Sequence, residues 1–318
     1  MLALTKRRCV CLLLFWANLT ISLASAGNIY DLPSADQSLV GNSLVISSRW
    51  EDTLPEIARA YNLGYEEIKI ANRSVDILLP GEGTAVKIPS HYILPDAPRR
   101  GIVLNLAELR LYYYPPVKPG EARHVETYPV GLGRLSAKTP LGQTRVVEKR
   151  QKPTWIIPQR LLREYQTQNP DFPSRIPPGP DNPLGDFALR LSLPGYLMHG
   201  TNKPFGVGMY VSNGCVRLYP EDIEVLYHRV SLDTSVNIVN QPFKAGWHKD
   251  TLFLEVHPDR YGSEDANRAS RLINSIIRAT SARPAFIDWQ KVDTAVSQAQ
   301  GLPVAIGRLK STQAEGGV

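Results

Sequence analysis

Apolar positions change their spacing several times along the chain, and each change marks a different element. Cys9 to Ala24 is apolar with few interruptions. It is shorter than the roughly 20 residues that a bilayer span needs, and Asn18 and Thr20 interrupt it. Lys6, Arg7 and Arg8 precede it, and Ala24-Ser25-Ala26 follows with a small-x-small pattern. That order predicts a signal peptide over 1–26, cleaved after Ala26, with an uncleaved anchor as the alternative. Cys9 and Cys11 precede the apolar run, which argues against a lipid-anchored cysteine. No other segment is apolar enough to span a membrane.

Residues 27–48 carry Tyr30, Leu32, Val40, Leu44, Val45 and Ile46 in short strand-like runs. The period then lengthens. Leu54, Ile57, Ala58 and Tyr61 share one helical face, with Asp52 or Thr53 placed to cap it. Asn62-Leu63-Gly64 stops that helix, and Ile68, Ile70 and Ala71 predict a second over 66–71. Leu79-Pro80-Gly81-Glu82-Gly83 is turn chemistry, and 84–89 reads as a closing strand. Pro95 to Arg100 reads as a linker.

From Gly101 the period falls to two. Residues 101–106 and 109–114 flank Ala107-Glu108 as a hairpin. Further strands are expected over 125–130, 144–148, 187–192, 196–199 and 235–240, separated by glycines and prolines. Many short strands with turn signals predict a mainly β, sandwich- or barrel-like domain. Helix is expected at 159–165 and 221–230. Residues 170–183 hold six prolines and read as a long loop, of the kind that serves as a binding loop or lid. Over 263–300 the spacing turns helical again, with Ala266, Ala269, Leu272, Ile276 and Ile277. Residues 311–318 read as a disordered tail.

Charge narrows the picture. Loss of Lys6, Arg7 and Arg8 leaves 33 basic against 30 acidic residues, so the net charge falls from +6 to about +3. That is too weak to argue for nucleic acid. The exported chain would keep one cysteine, Cys215, which cannot form an internal disulfide. An unpaired thiol in an oxidising compartment suggests a working one.

Cys215 sits in Ser212-Asn213-Gly214-Cys215-Val216-Arg217, sixteen positions after His199. A cysteine nucleophile needs its proton removed and its thiolate stabilised, which an adjacent imidazole can do. Of the six histidines, only His199 ends a predicted strand and begins a polar loop, a rigid place from which to project a base. Gly214 permits a tight turn, so nearby N–H groups can converge as an oxyanion hole. Arg217 falls on the same side as Cys215 if the segment is extended. There it can pair with a substrate carboxylate or lower the thiol pKa. No His-x-x-x-His spacing is present, and neither metal nor organic cofactor is expected.

Two resemblances add to this. The βααβ order over 43–90 resembles the LysM module, carried by Asp52-Thr53-Leu54, Ile57-Ala58, Tyr61-Asn62, Ile68, Ala71-Asn72, Leu79-Pro80-Gly81 and Val86-Lys87-Ile88-Pro89. That likeness implies binding to glycans containing N-acetylglucosamine. Met198-His199-Gly200-Thr201-Asn202 and Tyr210-Val211-Ser212-Asn213-Gly214-Cys215-Val216-Arg217-Leu218 strongly resemble the signature of L,D-transpeptidases, the YkuD-type domain. Asn105 to Leu111, Tyr128-Pro129-Val130-Gly131, Thr139-Pro140-Leu141-Gly142 and Gly179 to Gly185 extend the likeness, which covers 99–240. The stretch 245–318 is left as a helical extension and tail.

The second resemblance implies a cysteine acyl-enzyme on a peptidoglycan stem peptide, with release of a terminal D-alanine. It implies Cys215 as nucleophile, His199 as base, the Gly200 carbonyl orienting the imidazole, and Gly214 and Cys215 N–H groups as oxyanion hole. Arg217, Ser212, Asn213 and Thr201 would contact substrate. Many members carry His where this chain has Asn213, which cannot take a proton near neutral pH. The base role therefore rests on His199. A periplasmic location is expected, with peptidoglycan as partner and a second stem peptide or an outer-membrane lipoprotein as acceptor. Two alternatives stand beside transfer: an L,D-carboxypeptidase using the same acyl-enzyme, and a non-catalytic glycan-binding protein.

Overall fold

In a computed structural model of the chain, residues 27–262 and 266–310 are described. The predicted leader and tail lie outside them. Among the described residues, no helix is long and apolar enough to cross a membrane.

Near the N-terminus, strands Leu44–Ser47 and Ala85–Ile88 pair antiparallel, and helices Leu54–Ala60 and Tyr65–Ala71 lie between them in the chain. Thr53 is the cap. Its Oγ1 accepts from the Glu56 N–H at 3.3 Å, and the Glu56 carboxylate accepts from the Thr53 N–H at 3.2 Å. Asn62, at φ 53°, ends the first helix, since a short polar side chain tolerates the left-handed region. Leu54, Ile57, Ala58, Leu63, Ile68, Val86 and Ile88 form the core of this unit. Tyr61 stays partly exposed because it is already the C-cap, where the helical face has ended.

This unit is docked onto the larger domain through a buried charge. Arg110 donates to the Glu67 carboxylate at 2.7 Å, the Asn62 carbonyl at 3.0 Å and Thr127 Oγ1 at 2.9 Å. Its guanidinium also lies over the Tyr92 ring, 4.5 Å from the centroid. A buried charge is tolerable only when paired and hydrogen-bonded, and removing one partner strands the other. Glu67→Ala is therefore expected to cost about 3 kcal/mol, read as a lowered urea midpoint. Glu67→Gln, which keeps an acceptor, should recover part of it. A midpoint unchanged in Glu67→Ala would refute the role of this pair.

The mainly β domain is built on a nine-stranded sheet. Its strands run, edge to edge, Asn28–Asp31, His124–Pro129, Arg110–Tyr114, Gly101–Asn105, Ser235–Val239, Gly142–Gln151, Phe187–Leu191, Leu197–His199 and Val216–Arg217. The long strand Gly142–Gln151 is shared: its first half pairs with Ser235–Val239 and its second with Phe187–Leu191. A register shift between Val146 and Glu148 bends it, so the sheet curls over its own core. Leu104, Leu111, Val130, Leu189, Met198, Leu218 and the Pro220–Arg229 helix residues Ile223 and Leu226 fill that core.

Residues 155–176 form a small flap with its own apolar centre. Strands Trp155–Ile156 and Arg175–Ile176 pair around helix Gln159–Gln166, over Ile157, Leu161, Leu162 and Phe172. The proline-rich segment is thus more ordered than a plain loop. The buried Asn182 amide ties it down by donating to the carbonyls of Pro153 at 2.8 Å and Pro177 at 3.1 Å.

The C-terminal region holds helices Arg268–Thr280 and Trp289–Gln298, within the span where helical spacing was read. It also holds a four-stranded antiparallel sheet, in the order Phe243–His248, Thr251–Val256, Val304–Leu309, Ala285–Ile287. Those strands were not expected. Helix and sheet share one core around Trp247, Leu252, Leu254, Ile276, Val292 and Ile306.

Candidate active site

Strands Leu197–His199 and Val216–Arg217 run side by side in parallel, with His199 opposite Arg217. This pairing brings together two segments separated by the whole loop from Gly200 to Cys215. The imidazole is buried, and its Nδ1 lies 2.6 Å from the Gly200 carbonyl. A carbonyl only accepts, so Nδ1 carries the proton and Nε2 is the free base. Burial and the Arg217 charge hold the imidazole down to about 4, against the opposing pull of the Gly200 and Leu184 carbonyls. His199 is therefore neutral throughout the physiological range.

Cys215 is partly exposed, and its thiol faces the Gly195 carbonyl at 3.7 Å. Burial pushes the thiol up, while the Leu197 N–H and the Arg217 charge pull it down. The resting pair is thus a protonated thiol and a neutral imidazole. Burial, which no motif displays, outweighs the local stabilisers. Among the described residues, no hydrogen bond joins the thiol to His199 directly.

Arg217 is half-buried, and burial lowers its pKa. Its backbone is clamped to Gly131 by two hydrogen bonds of 2.8 Å. Among the described residues its guanidinium makes no ion pair, and its Nε has no acceptor. Asn213 Oδ1 is likewise buried without a donor.

Three other groups named from the sequence have partners within the protein. The Gly214 N–H, expected in the oxyanion hole, donates to Ser212 Oγ at 3.1 Å. Ser212 was expected at substrate. It is buried, and its hydroxyl donates to the Cys215 carbonyl at 2.5 Å, so it pins the turn at Cys215 from within. Thr201 is also buried, and its Oγ1 accepts from the Lys203 N–H at 3.0 Å, shaping the loop that follows His199. Gly214 itself is required: its φ is +113°, and a Cβ there would lie 2.9 Å from the Tyr196 ring.

The L,D-transpeptidase catalytic domain (YkuD) matches residues 99–238. "Probable L,D-transpeptidase YcfS" of Escherichia coli (strain K12) is 39% identical over 305 residues, covering 92% of this chain and 93% of that protein. The chain belongs to the L,D-transpeptidase family. "Probable L,D-transpeptidase ErfK/SrfK" of the same strain is 36% identical over 308 residues, covering 94% of this chain and 97% of its own. Among solved structures, L,D-transpeptidase 3 from Mycobacterium tuberculosis with a faropenem-derived adduct covers 64% of this chain and 92% of its own, at 17% identity and a TM-score of 0.33. That likeness is too distant to bear on the reading.

In this L,D-transpeptidase, some groups around Cys215 carried no sequence signal. Thr139 hydrogen-bonds to the Gly214 carbonyl, next to Cys215, and Tyr261 to the Gly133 carbonyl. Thr139 stood in the motif Thr139-Pro140-Leu141-Gly142, but nothing in that motif says what its hydroxyl touches. Away from the site, carboxylate and imidazole atoms of Glu108, Glu255 and His257 lie within 4.8 Å of one another. Lys244 already occupies that cluster, bonded to Glu108 and, at 2.8 Å, to Glu255. Its ammonium is the countercharge there, and the cluster ties the C-terminal sheet to the mainly β domain.

Proposed function

We propose that this L,D-transpeptidase acts in the periplasm on peptidoglycan stem peptides, through a thioester on Cys215. His199 Nε2 takes the thiol proton as Sγ attacks the carbonyl of the L-centre next to a terminal D-residue. The tetrahedral intermediate expels the D-alanine amine, which receives that proton from His199. An acceptor amine then attacks the thioester, and Sγ leaves with the proton returned through His199. The product is a new amide, either a cross-link between stem peptides or an anchored envelope lipoprotein.

The observation that carries this reading is Arg217. A half-buried guanidinium without a carboxylate partner is costly to keep. It stands near enough to both Cys215 and His199 to shift each of them. A substrate carboxylate would complete the pair and anchor the reacting carbonyl at the sulfur.

Export is supported from the other end of the chain. Gly27, the first residue after the predicted cleavage point, is buried, and its N–H donates to Asp222 Oδ1 at 3.0 Å. Asp222 is fully buried, and burial pushes its carboxyl up to about 7. A free α-ammonium at Gly27 would supply the positive charge that this carboxylate lacks. The 43–90 unit would act as a LysM-type holder of glycan strands, with Trp50, Leu78 and Leu79 exposed on it.

Incubation of the purified protein with disaccharide-tetrapeptide, followed by mass spectrometry, tests the whole reading. Cross-linked dimers are expected. Tripeptide alone would mean that water is the acceptor, and unchanged substrate would leave only a glycan-binding role.

A further inference from the structure

Tyr261 lies beyond the matched catalytic domain, just after strand Thr251–Val256. Its hydroxyl donates to the Gly133 carbonyl and accepts from the Thr139 N–H at 3.4 Å. Thr139, itself buried, continues the chain of bonds. Its Oγ1 accepts from the Gly133 N–H at 3.1 Å and donates to the Gly214 carbonyl at 2.8 Å. The C-terminal domain therefore reaches, in two steps, the peptide group that precedes the nucleophile.

That peptide group matters because it is planar and trans. Its C=O and N–H point in opposite directions, so fixing the Gly214 oxygen also fixes where the Cys215 N–H points. Ser212 engages the groups on either side, the Gly214 N–H and the Cys215 carbonyl. The Cys215 N–H is left with no acceptor among the described residues. A preorganised donor of this kind stabilises negative charge developing on an acyl oxygen.

Tyr261 is held for the task. Its carbonyl accepts from Lys138 Nζ at 3.0 Å, and its ring packs against Tyr210 with centroids 5.1 Å apart. Tyr210 in turn donates to the Leu106 carbonyl at 2.9 Å. There is no slack for a rearranged backbone at this point: a Cβ on Gly133 would meet the Ala137 oxygen at 2.1 Å and the Gly214 Cα at 3.0 Å.

We propose that Tyr261 and Thr139 are positioning residues for acylation, which together hold the Gly214 carbonyl so that the Cys215 N–H faces the oxyanion. This rests on Cys215 being the nucleophile, and it assigns the C-terminal domain a part in the reaction that residues 99–238 cannot supply alone.

Two reagents separate the proposal from a purely structural role. A carbapenem acylates through a tetrahedral oxyanion, whereas iodoacetamide alkylates sulfur at a saturated carbon and forms none. Tyr261→Phe keeps the ring and loses the hydroxyl. It is expected to slow carbapenem acylation about 10-fold, less than the 100-fold or more typical of losing an oxyanion donor itself. Iodoacetamide labelling of Cys215 at the same pH should be unchanged. Thr139→Val should show a larger loss of the same kind, and Thr139→Ser, which keeps the hydroxyl, should restore most of it. The Thr139 pair decides the matter even where Tyr261→Phe folds poorly. Equal slowing of both reagents, or an unaffected carbapenem rate, overturns the proposal. A wild-type protein that takes iodoacetamide but no carbapenem overturns the nucleophile reading instead.

Discussion

Cys215→Ala is expected to abolish product formation from disaccharide-tetrapeptide while leaving glycan binding intact. The loss should exceed about 10⁴-fold, as removal of a covalent nucleophile does when general base and oxyanion donors act as one unit with it. Ser212 is the nearest hydroxyl in sequence, but it is buried and bonded to the Cys215 carbonyl. Cys215 is the only free cysteine among the described residues, so a carbapenem adduct seen by intact mass reports on it directly. The adduct should appear in the wild type and vanish in Cys215→Ala. The βααβ unit has its own core around Leu54, Ile68 and Val86, well separated in the chain from the nucleophile, so its binding should not follow. Retained turnover would sink the nucleophile assignment, and lost glycan binding would mean that the substitution disturbs the fold.

The β hairpin at 101–114 and the capped helix after Thr53 were legible because each is written locally. Alternation or a capping residue carries them. What was not legible depends on contacts made at long range. The strand Thr251–Val256 alternates Leu252, Leu254 and Val256, but its partners Phe243–His248 and Val304–Leu309 flank it at both short and long range, and the second lies beyond two helices. The hydroxyl of Thr139 meets an oxygen 75 positions later, and that of Tyr261 an oxygen 128 positions earlier. Neither target is visible from residue type. Ser212 and Thr201 are polar residues beside a nucleophile, which invites a substrate role, but polar side chains in a tight buried turn are needed to satisfy the turn's own backbone. The protonation state of the thiol is hidden for a related reason. A motif names the neighbours of a group but not how much water it has lost, and desolvation is the first cause acting on both Cys215 and His199.

That protonation state gives the second large prediction. With a neutral imidazole and a protonated thiol at rest, the proton must cross to His199 Nε2 as the carbon–sulfur bond forms. Replacing His199 by Gln should therefore slow carbapenem acylation by on the order of 10² to 10⁴-fold at neutral pH, the usual worth of a positioned base. The pH dependence follows from the sign of the shift. Because the folded imidazole is held at about 4, below the ordinary 6.5, its base form persists down to that pH. The wild-type acylation rate should fall with a midpoint near pH 4 and show no inflection near 6.5. In His199→Gln the remaining reaction depends on the few thiolates present. Its rate should climb tenfold per pH unit towards the raised thiol pKa. Arg217→Ala, which removes a cation acting on both groups, should move the acid midpoint upward. A wild-type midpoint near 6.5 would show that the imidazole is not held down by its surroundings, and a His199→Gln rate equal to wild type would show that it is not the base.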